Sequence, residues 1–170
     1  MMERHKALHS LSHDHHHGLI LAQLIKKGSP QYKNLPNTTE GKKDYSIRFY
    51  NYKLIKHFES EEKILFPVVN GKNDEIDNLI EEIIIEHKKI KLLINQLESD
   101  KDVENTLDEL GRILESHIRK EERKLFPLIQ NLLSDEELIY LENKLQNFVS
   151  EKNMNFITNQ PSYLFNRKVK

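Results

Sequence analysis

The sequence predicts an all-α protein, and three features of its pattern support that prediction. Apolar residues recur at intervals of three and four along most of the chain, which is the period of an amphipathic helix. No stretch shows the sustained apolar and polar alternation, bounded by turn signals, that is typical of a strand. Mostly short polar connections separate four long segments, and this favours an up-down-up-down four-helix bundle with a short additional C-terminal helix.

The first two helices are bounded by residues that end or start helices. The first is predicted over about residues 3–27 and ends at Gly28-Ser29-Pro30, because glycine ends a helix easily and proline cannot continue one. After a polar loop, the second helix is predicted to start near Thr39 or Glu40. It should stop or kink within residues 67–71, which contain both proline and glycine.

The third and fourth helices have similar boundary signals. Asn73 is a plausible N-cap for the third helix, since the acidic residues after it suit the positive end of the helix dipole. This helix should continue to about Glu98. The polar run 99–102 separates it from the fourth helix, which passes through Glu121 and should be disturbed near Pro127.

A shorter fifth helix is predicted after the bundle. The run Ser134-Asp-Glu-Glu137 has the form of a capping box, and apolar residues follow it on one helical face: Leu138, Leu141, Leu145 and Phe148. This helix should pack onto the bundle as an appendage. Residues 1–150 are therefore interpreted as one domain, and residues 151–170 as a C-terminal tail without helical period, whose role the sequence does not indicate.

The composition narrows the classes of partner and cofactor. The chain has 170 residues, 37% of them hydrophobic, which suits a single domain, and its net charge of -1 predicts neither a nucleic-acid partner nor a membrane partner. Cysteine is absent, so any metal must be held by nitrogen and oxygen. No signal-like start and no apolar run long enough for a membrane span occurs, so the expected location is cytoplasmic.

A motif that occurs twice contains candidate metal ligands. His57-x-x-x-Glu61, followed by Leu65-Phe66-Pro67, recurs as His117-x-x-x-Glu121, followed by Leu125-Phe126-Pro127. A spacing of four puts imidazole and carboxylate on one helical face. A single instance is more often a surface ion pair, but two instances with the same flanking residues favour a shared site for two metal ions.

The candidate ligands interrupt the apolar faces of all four long helices. These residues are His15, His57, Glu61, His87, His117 and Glu121. An ionised carboxylate in an apolar core costs several kcal/mol unless it is paired or bound to a metal. Two divalent ions about 3.5–4 Å apart, bridged by Glu61 and Glu121, would balance the charge. Core histidines paired with glutamate in the absence of metal are the alternative.

In these residues the chain resembles the hemerythrin-like (HHE cation-binding) domains. The resemblance covers about residues 8–130 and rests on four motifs: Leu11-Ser-His-Asp-His15, His57-x-x-x-Glu61-Glu62, Glu86-His87 and His117-x-x-x-Glu121. It implies a four-helix bundle around a non-haem di-iron centre. The four histidines named above would be terminal ligands and the two glutamates bridging ligands. His15 is preferred to its neighbours His16 and His17 because it continues the apolar face of its helix.

The chain departs from the oxygen carriers of that family at one position. Those proteins have a His-x-x-x-His pair on the third helix, whereas His87 here has Ile83 four residues before it and Lys91 four residues after it. A missing fifth histidine favours reaction with O2, peroxide or nitric oxide over reversible oxygen carriage. Zinc or manganese would fit the same ligand types as iron.

The predicted function is binding, sensing or storage of O2, nitric oxide or peroxide at two iron ions. No side chain is assigned a catalytic role beyond the metal site. One alternative is a di-iron redox enzyme, either a peroxidase or a nitric oxide handler, which would work with a redox partner. Another is a protein that stores or donates iron.

Two further groups of polar residues are expected to lie on the protein surface. Glu62, Glu86 and Glu122 adjoin candidate ligands and are expected to be solvated acids, with orientation of the imidazoles as the alternative. Four other histidines, at intervals of four, are expected to form a solvated face: His5, His9, His13 and His17. A surface metal site is the alternative there, and no carboxylate is patterned with them.

Overall fold

The computed structural model describes residues 3–99 and 102–158, with side chains described up to Glu151. Within these ranges the chain forms five helices and no strand, which confirms the all-α prediction. No described helix is both long enough and apolar enough to cross a membrane. Helix α1 is His9–Ile25, preceded by a 3-10 turn at Lys6–Leu8. The chain leaves α1 through Gly28, whose φ of 70° favours glycine.

Helix α2 covers residues 39–69 without interruption and contains two π-helical turns. Its segments are Thr39–Phe49, the π turn Tyr50–Leu54, Ile55–Ser60, the π turn Glu61–Leu65, and Phe66–Val69. The Thr38 hydroxyl caps its start by accepting a hydrogen bond of 3.1 Å from the Gly41 N–H. Helix α2 therefore spans the range predicted for it.

Helix α3 is Asp74–Ser99. Its predicted N-cap is confirmed, because the Asn73 side-chain oxygen accepts a hydrogen bond of 3.1 Å from the Ile76 N–H. Helix α4 covers residues 103–132 and consists of Val103–Lys120, the π turn Glu121–Leu125, and Phe126–Leu132.

The two prolines widen the helices one turn before themselves. The Phe66 N–H donates to the Glu61 carbonyl, five residues back, and the Phe126 N–H donates to the Glu121 carbonyl in the same way. A proline ring clashes with the carbonyl four residues before it, and a π turn relieves that clash. The disturbance predicted at the repeated motif is thus a π turn, and each of these turns begins at a candidate glutamate ligand.

Helix α5 is Asp135–Thr158, longer than the short helix predicted and extending past residue 150. Its predicted capping box is confirmed, since the Ser134 N–H donates to the Glu137 carboxylate (2.9 Å) and the Glu137 N–H donates to the Ser134 hydroxyl (3.3 Å). The absence of helical period predicted for the tail is wrong up to Thr158. Residues 159–170 lie outside the described residues.

Two buried apolar clusters lie on either side of a polar layer. The first contains Leu11 of α1, Leu65 of α2, Ile83 of α3, Leu125 of α4 and the inner face of α5. The second contains apolar residues from the other parts of the four long helices: Leu21, Leu54, Ile90 and Leu114, among others. Going along the chain, α1 and α3 pass from the first cluster to the second, and α2 and α4 pass back. The up-down-up-down order stays a prediction, which this alternation supports.

Candidate metal centre

Six polar side chains fill the layer between the two clusters, and they are the six that the sequence predicts. They come from α1 (His15), α2 (His57 and Glu61), α3 (His87) and α4 (His117 and Glu121). None is more than 4% exposed, and both glutamates are 0% exposed. The four long helices thus bring four imidazoles and two carboxylates into one water-excluded layer.

The six side chains form two overlapping groups of donor atoms. One group is His15, His57, Glu61 and Glu121, and the other is Glu61, His87, His117 and Glu121. In each group the donor atoms all lie within 4.8 Å of one another. Both glutamates belong to both groups, so they lie between the two pairs of histidines. We call the six residues the cage and the two groups its halves.

In the first half, the imidazole nitrogens converge on the carboxylates. His15 Nε2 lies 3.0 Å from Glu121 Oε2 and 3.9 Å from Glu61 Oε1, while His57 Nε2 lies 3.2 Å from Glu61 Oε1. The two Nε2 atoms are only 2.9 Å apart. Such convergence of nitrogen and oxygen donors is the geometry that a cation would occupy.

The second half repeats this arrangement. His87 Nε2 lies 3.4 Å from Glu61 Oε2, and His117 Nε2 lies 3.3 Å from Glu121 Oε2. The similarity of the two halves follows from the repeated motif, because one copy of it lies on α2 and the other on α4. Each half therefore has two imidazoles and a share of both carboxylates.

The cage residues fit a metal ion because their donor atoms are buried without hydrogen-bond donors. Both carboxylate oxygens of Glu61 and of Glu121 are buried without a hydrogen-bond partner, as are the Nε2 atoms of His87 and His117. Leaving a buried acceptor unsatisfied costs about 1–3 kcal/mol, and more when it is charged. Metal ions bound between these side chains would satisfy the atoms that lack partners.

The pKa values describe how the cage balances its charge without a cation. Burial lowers the pKa of His57, but the Glu61, Asp14 and Glu121 carboxylates together outweigh this and hold that pKa well above its usual value. Burial raises the pKa of Glu61, yet the nearby His57 and His87 lower it well below its usual value. Burial also lowers the pKa of His87, but the neighbouring Glu61 and Glu62 carboxylates outweigh this effect and raise that pKa to about 9. Protons on imidazoles here take the place of a metal's positive charge.

An outer ring of four acids surrounds the cage. His15 Nδ1 lies 2.7 Å from Glu122, His87 Nδ1 lies 2.7 Å from Glu62, and His117 Nδ1 lies 3.0 Å from Glu86. His57 Nδ1 faces Asp14 at the longer distance of 3.5 Å. Each acid adjoins a cage residue in sequence, yet it meets a histidine of a different helix. An Nδ1–H that donates to a carboxylate leaves Nε2 free to bind an ion.

The interpretation as solvated acids is therefore wrong for Glu86 and Glu122, whereas Glu62 is exposed as expected and also pairs with His87. Glu86 and Glu122 are also held from outside, because Lys120 donates to Glu86 (2.8 Å) and Arg4 donates to Glu122 (2.7 Å). The pKa of Glu122 is lowered to about 2, since hydrogen bonds from His15 and others outweigh its burial.

Asp14 is the member of the outer ring that was not predicted from the sequence. Its position just before His15 was the available signal, because Glu86 stands in the same way just before His87. The aspartate is shorter by one methylene group than the other three acids. Its longer distance to its histidine is in keeping with that shorter reach.

No fifth histidine completes either half within the described residues. Ile83, four residues before His87, is 0% exposed and packs in the first apolar cluster. Lys91, four residues after His87, lies on the surface. The two halves are therefore equal in their protein donors, with two imidazoles and two shared carboxylates each.

Aromatic rings position one histidine in each half. Phe126 stacks on His15 with ring centroids 5.3 Å apart, and Phe58 stacks on His87 with centroids 3.8 Å apart. Both phenylalanines are at most 6% exposed. A stacked imidazole has few alternative orientations, so these contacts hold Nε2 towards the glutamates.

A groove reaches the second half from the surface. It lies between α2 and α3, has a volume of about 490 Å³, and is lined by residues that include Tyr50, Asn51, Glu62, His87 and Lys91. The π turn Tyr50–Leu54 contributes to its wall. A molecule of a few atoms entering this groove would meet His87 and its partner Glu62.

The fold and the cage define a class of protein: a helical domain whose buried histidines and glutamates can hold a metal. The family model of the hemerythrin HHE cation binding domain matches residues 6–129. The chain belongs to that family. All six cage residues lie within the matched range.

One curated relative matches part of the chain. It is a DNA nickase from Nostoc sp., 33% identical over 88 residues, and the match covers 49% of this chain. The chain spans about 24% of that relative's length. No solved structure matches the chain.

Proposed function

We propose that the cage holds two iron ions. His15 and His57 would bind one ion, His87 and His117 the other, and Glu61 and Glu121 would bridge the two ions. The observation that carries this proposal is the sharing of both buried glutamates by two groups of donor atoms. Two carboxylates inside an apolar core require compensating charge, and two divalent ions supply it.

Iron is the proposed metal because of the donor chemistry and the family. Imidazole and carboxylate together suit divalent first-row ions, and a cage without thiolates does not select for the softest of these. Zinc or manganese would be accepted as substitutes by the same donors. Metal affinity should fall in acid, since each imidazole must be neutral at Nε2 to bind an ion.

The proposed role is to bind, sense or store O2, nitric oxide or peroxide. Bound iron supplies coordination positions that exchange and electrons for such ligands. The chain itself supplies four donors to each half, and its outer acids hold the protons at Nδ1 of the histidines. Because the groove reaches His87, small molecules would approach the second half first.

A redox enzyme is the second candidate, and the same groove favours it. The groove at His87 and Glu62, with a volume of about 490 Å³, would admit peroxide or nitric oxide and release a product. Repeated turnover with an electron donor would distinguish the enzyme from a sensor, which would bind its ligand without consuming it. A redox partner is part of this second candidate only.

The proposed function does not include the DNA-nicking activity named for the Nostoc relative. The chain spans about a quarter of that relative, and its own net charge of -1 offers no positive field for a phosphate backbone. A cytoplasmic location stays a prediction from the sequence.

Metal analysis of the purified protein tests the proposal. We expect about two irons per chain after anaerobic loading, and absorption changes when the reduced protein meets O2, nitric oxide or peroxide. Glu61→Ala and Glu121→Ala should lose most of the bound metal, whereas Glu109→Ala, at an exposed position of α4, should keep it. Circular dichroism checks that each variant is folded. Full metal content in both cage variants would contradict the proposal.

A further inference from the structure

We infer that His13, Asp14 and His17 form a separate surface site for one divalent transition-metal ion of the zinc or copper type. The site lies on the outside of α1 and shares no residue with the cage. It does not depend on the identity of the metal in the cage or on the function proposed above.

The three side chains are close enough to share an ion. One donor atom from each of His13, Asp14 and His17 lies within 4.8 Å of the others. His13 and His17 are four residues apart on α1, so their rings lie on one face, with centroids 4.8 Å apart and planes at 70°. Two histidines at this helical spacing are a common pair of zinc ligands.

The tautomer of His17 is suited to metal binding. Its Nδ1 lies 3.2 Å from the carbonyl oxygen of His13, so Nδ1 carries the proton and donates it. The other nitrogen, Nε2, then has its lone pair available for an ion. A hydrogen bond from one ring nitrogen to a backbone carbonyl is a usual support for a metal-binding histidine.

The other two surface histidines are used differently, which separates them from this site. His5 caps the start of the 3-10 turn, where its Nδ1 accepts a hydrogen bond of 3.2 Å from the Ala7 N–H. His9 Nε2 donates to the Arg4 carbonyl at 2.7 Å. His9 is exposed, as expected for a solvated face, but His5 lies before α1 and therefore does not continue the helical row of His9, His13 and His17. The absence of a patterned carboxylate is wrong for His13 and His17, because Asp14 lies beside them.

Asp14 joins the surface site to the cage. Its Oδ2 faces His57 Nδ1 at 3.5 Å, and a carboxylate has a second oxygen with which it can bind an ion. The Asp14 side chain is 37% exposed, so an ion in solvent can approach the carboxylate. Lys53 also lies close enough to act on the Asp14 charge, and it would compete with an ion for the carboxylate.

These features define the chemistry of the ion. Two imidazole nitrogens and one carboxylate oxygen, completed by water, suit Zn²⁺ or Cu²⁺ better than Mg²⁺ or Ca²⁺. Because the site is exposed and water completes its coordination, its ion should exchange with solvent more readily than an ion in the buried cage.

Zinc titration tests the site. Protein without a histidine tag and with its cage loaded is dialysed against Zn²⁺, and zinc and iron are measured in the same samples. We expect one zinc per chain beyond the metal of the cage. His17→Ala should weaken that zinc binding by about 100-fold, since removing a ligand costs at least as much as removing a residue that supports one. His16→Ala, the neighbouring exposed histidine, is the matched control and should bind zinc as the original chain does.

Electron paramagnetic resonance identifies the ligands of the surface site. Cu²⁺ bound at the surface site should show two nitrogen ligands by electron paramagnetic resonance, and one in His17→Ala. The inference is overturned if no additional zinc binds, or if zinc binding survives in His17→Ala. It is also overturned if His16→Ala weakens that binding as much as His17→Ala does. Iron content reports separately on the cage, so that a failure of either proposal can be recognised on its own.

Discussion

The His15–His57 half of the cage and the His87–His117 half have the same donors but different routes to the surface. In each half, one histidine meets an acid that a cation holds from outside: His15 with Glu122 and Arg4, and His117 with Glu86 and Lys120. The other histidine of each half meets a more exposed acid. These are Asp14 beside His57 and Glu62 beside His87, with side chains 37% and 43% exposed.

The surroundings of the two exposed acids differ. Asp14 lies beside His13 and His17, the candidate surface metal site, whereas Glu62 lines the groove between α2 and α3. The repeated motif thus builds two similar halves, and the residues around them open one half to small molecules and place metal-binding groups beside the other. The approximate symmetry is a property of the cage and does not extend to the surface.

The largest expected effect is the loss of one ion from one half. His15→Ala and His87→Ala each remove a donor from one half only, so each variant should retain about one of two metal ions. Metal analysis of both variants after identical loading checks this. If each variant loses both ions, the halves act as one unit and the comparison between them fails for metal binding.

The second effect is a loss of stability at high pH in the metal-free protein. The pKa of His87 is about 9 when folded, because burial lowers it less than the neighbouring Glu61 and Glu62 carboxylates raise it. A raised pKa contributes stability that is fully present below the unfolded value of 6.5 and is lost as pH rises through about 9. This contribution is on the order of 3 kcal/mol. Urea unfolding of the metal-free protein should therefore show a lower free energy of unfolding at pH 9.5 than at pH 6.

The metal-loaded protein should respond in the opposite direction over the same range. An ion needs neutral imidazoles, so the stability that metal adds should grow as pH rises. His87→Gln removes the titrating ring and is the control for the metal-free curve. A metal-free curve that stays flat for the original chain would show that His87 does not hold its proton in the folded state.

A smaller effect separates the two kinds of outer acid. Glu86→Gln should weaken metal binding by about 10–100-fold, because it disturbs a hydrogen bond of 3.0 Å to His117 and the contact with Lys120. Asp14→Asn should have a smaller effect on the cage, since Asp14 faces His57 at 3.5 Å. Competition with a coloured chelator measures both affinities. Equal losses of metal affinity would show that Glu86, which Lys120 holds, and the exposed Asp14 contribute equally to metal binding.

The smallest effect concerns access through the groove. Lys91→Trp places a large side chain in the groove near His87, so the loaded protein should bind nitric oxide more slowly while its metal content is unchanged. Asn143→Trp, on the exposed face of α5, is the matched control. Stopped-flow absorption gives both rates. An unchanged rate in Lys91→Trp would mean that ligands reach the cage by another path.

The parts of the fold that the sequence predicted are those decided by neighbours along the chain. The cap at Asn73 and the capping box at Ser134 each involve groups within three residues, and Gly28 turns the chain three residues after α1 through its own positive φ. The six cage residues were predictable for a related reason, since each falls at a helical interval within an apolar face. Helix α5 was predicted too short, because a weak apolar pattern does not define where a helix ends.

The amino-acid sequence by itself determined the helices, their apolar faces and the six polar residues placed within those faces, because helical periodicity is a local property. Only the tertiary structure decided which acid meets which histidine. Glu122 and His15 are 107 residues apart and Glu62 and His87 are 25 apart, and no local pattern encodes such pairs. The groove at His87 and the grouping of Asp14 with His13 and His17 likewise depend on how helices pack and on where side chains point, and both are set only when the whole core is assembled.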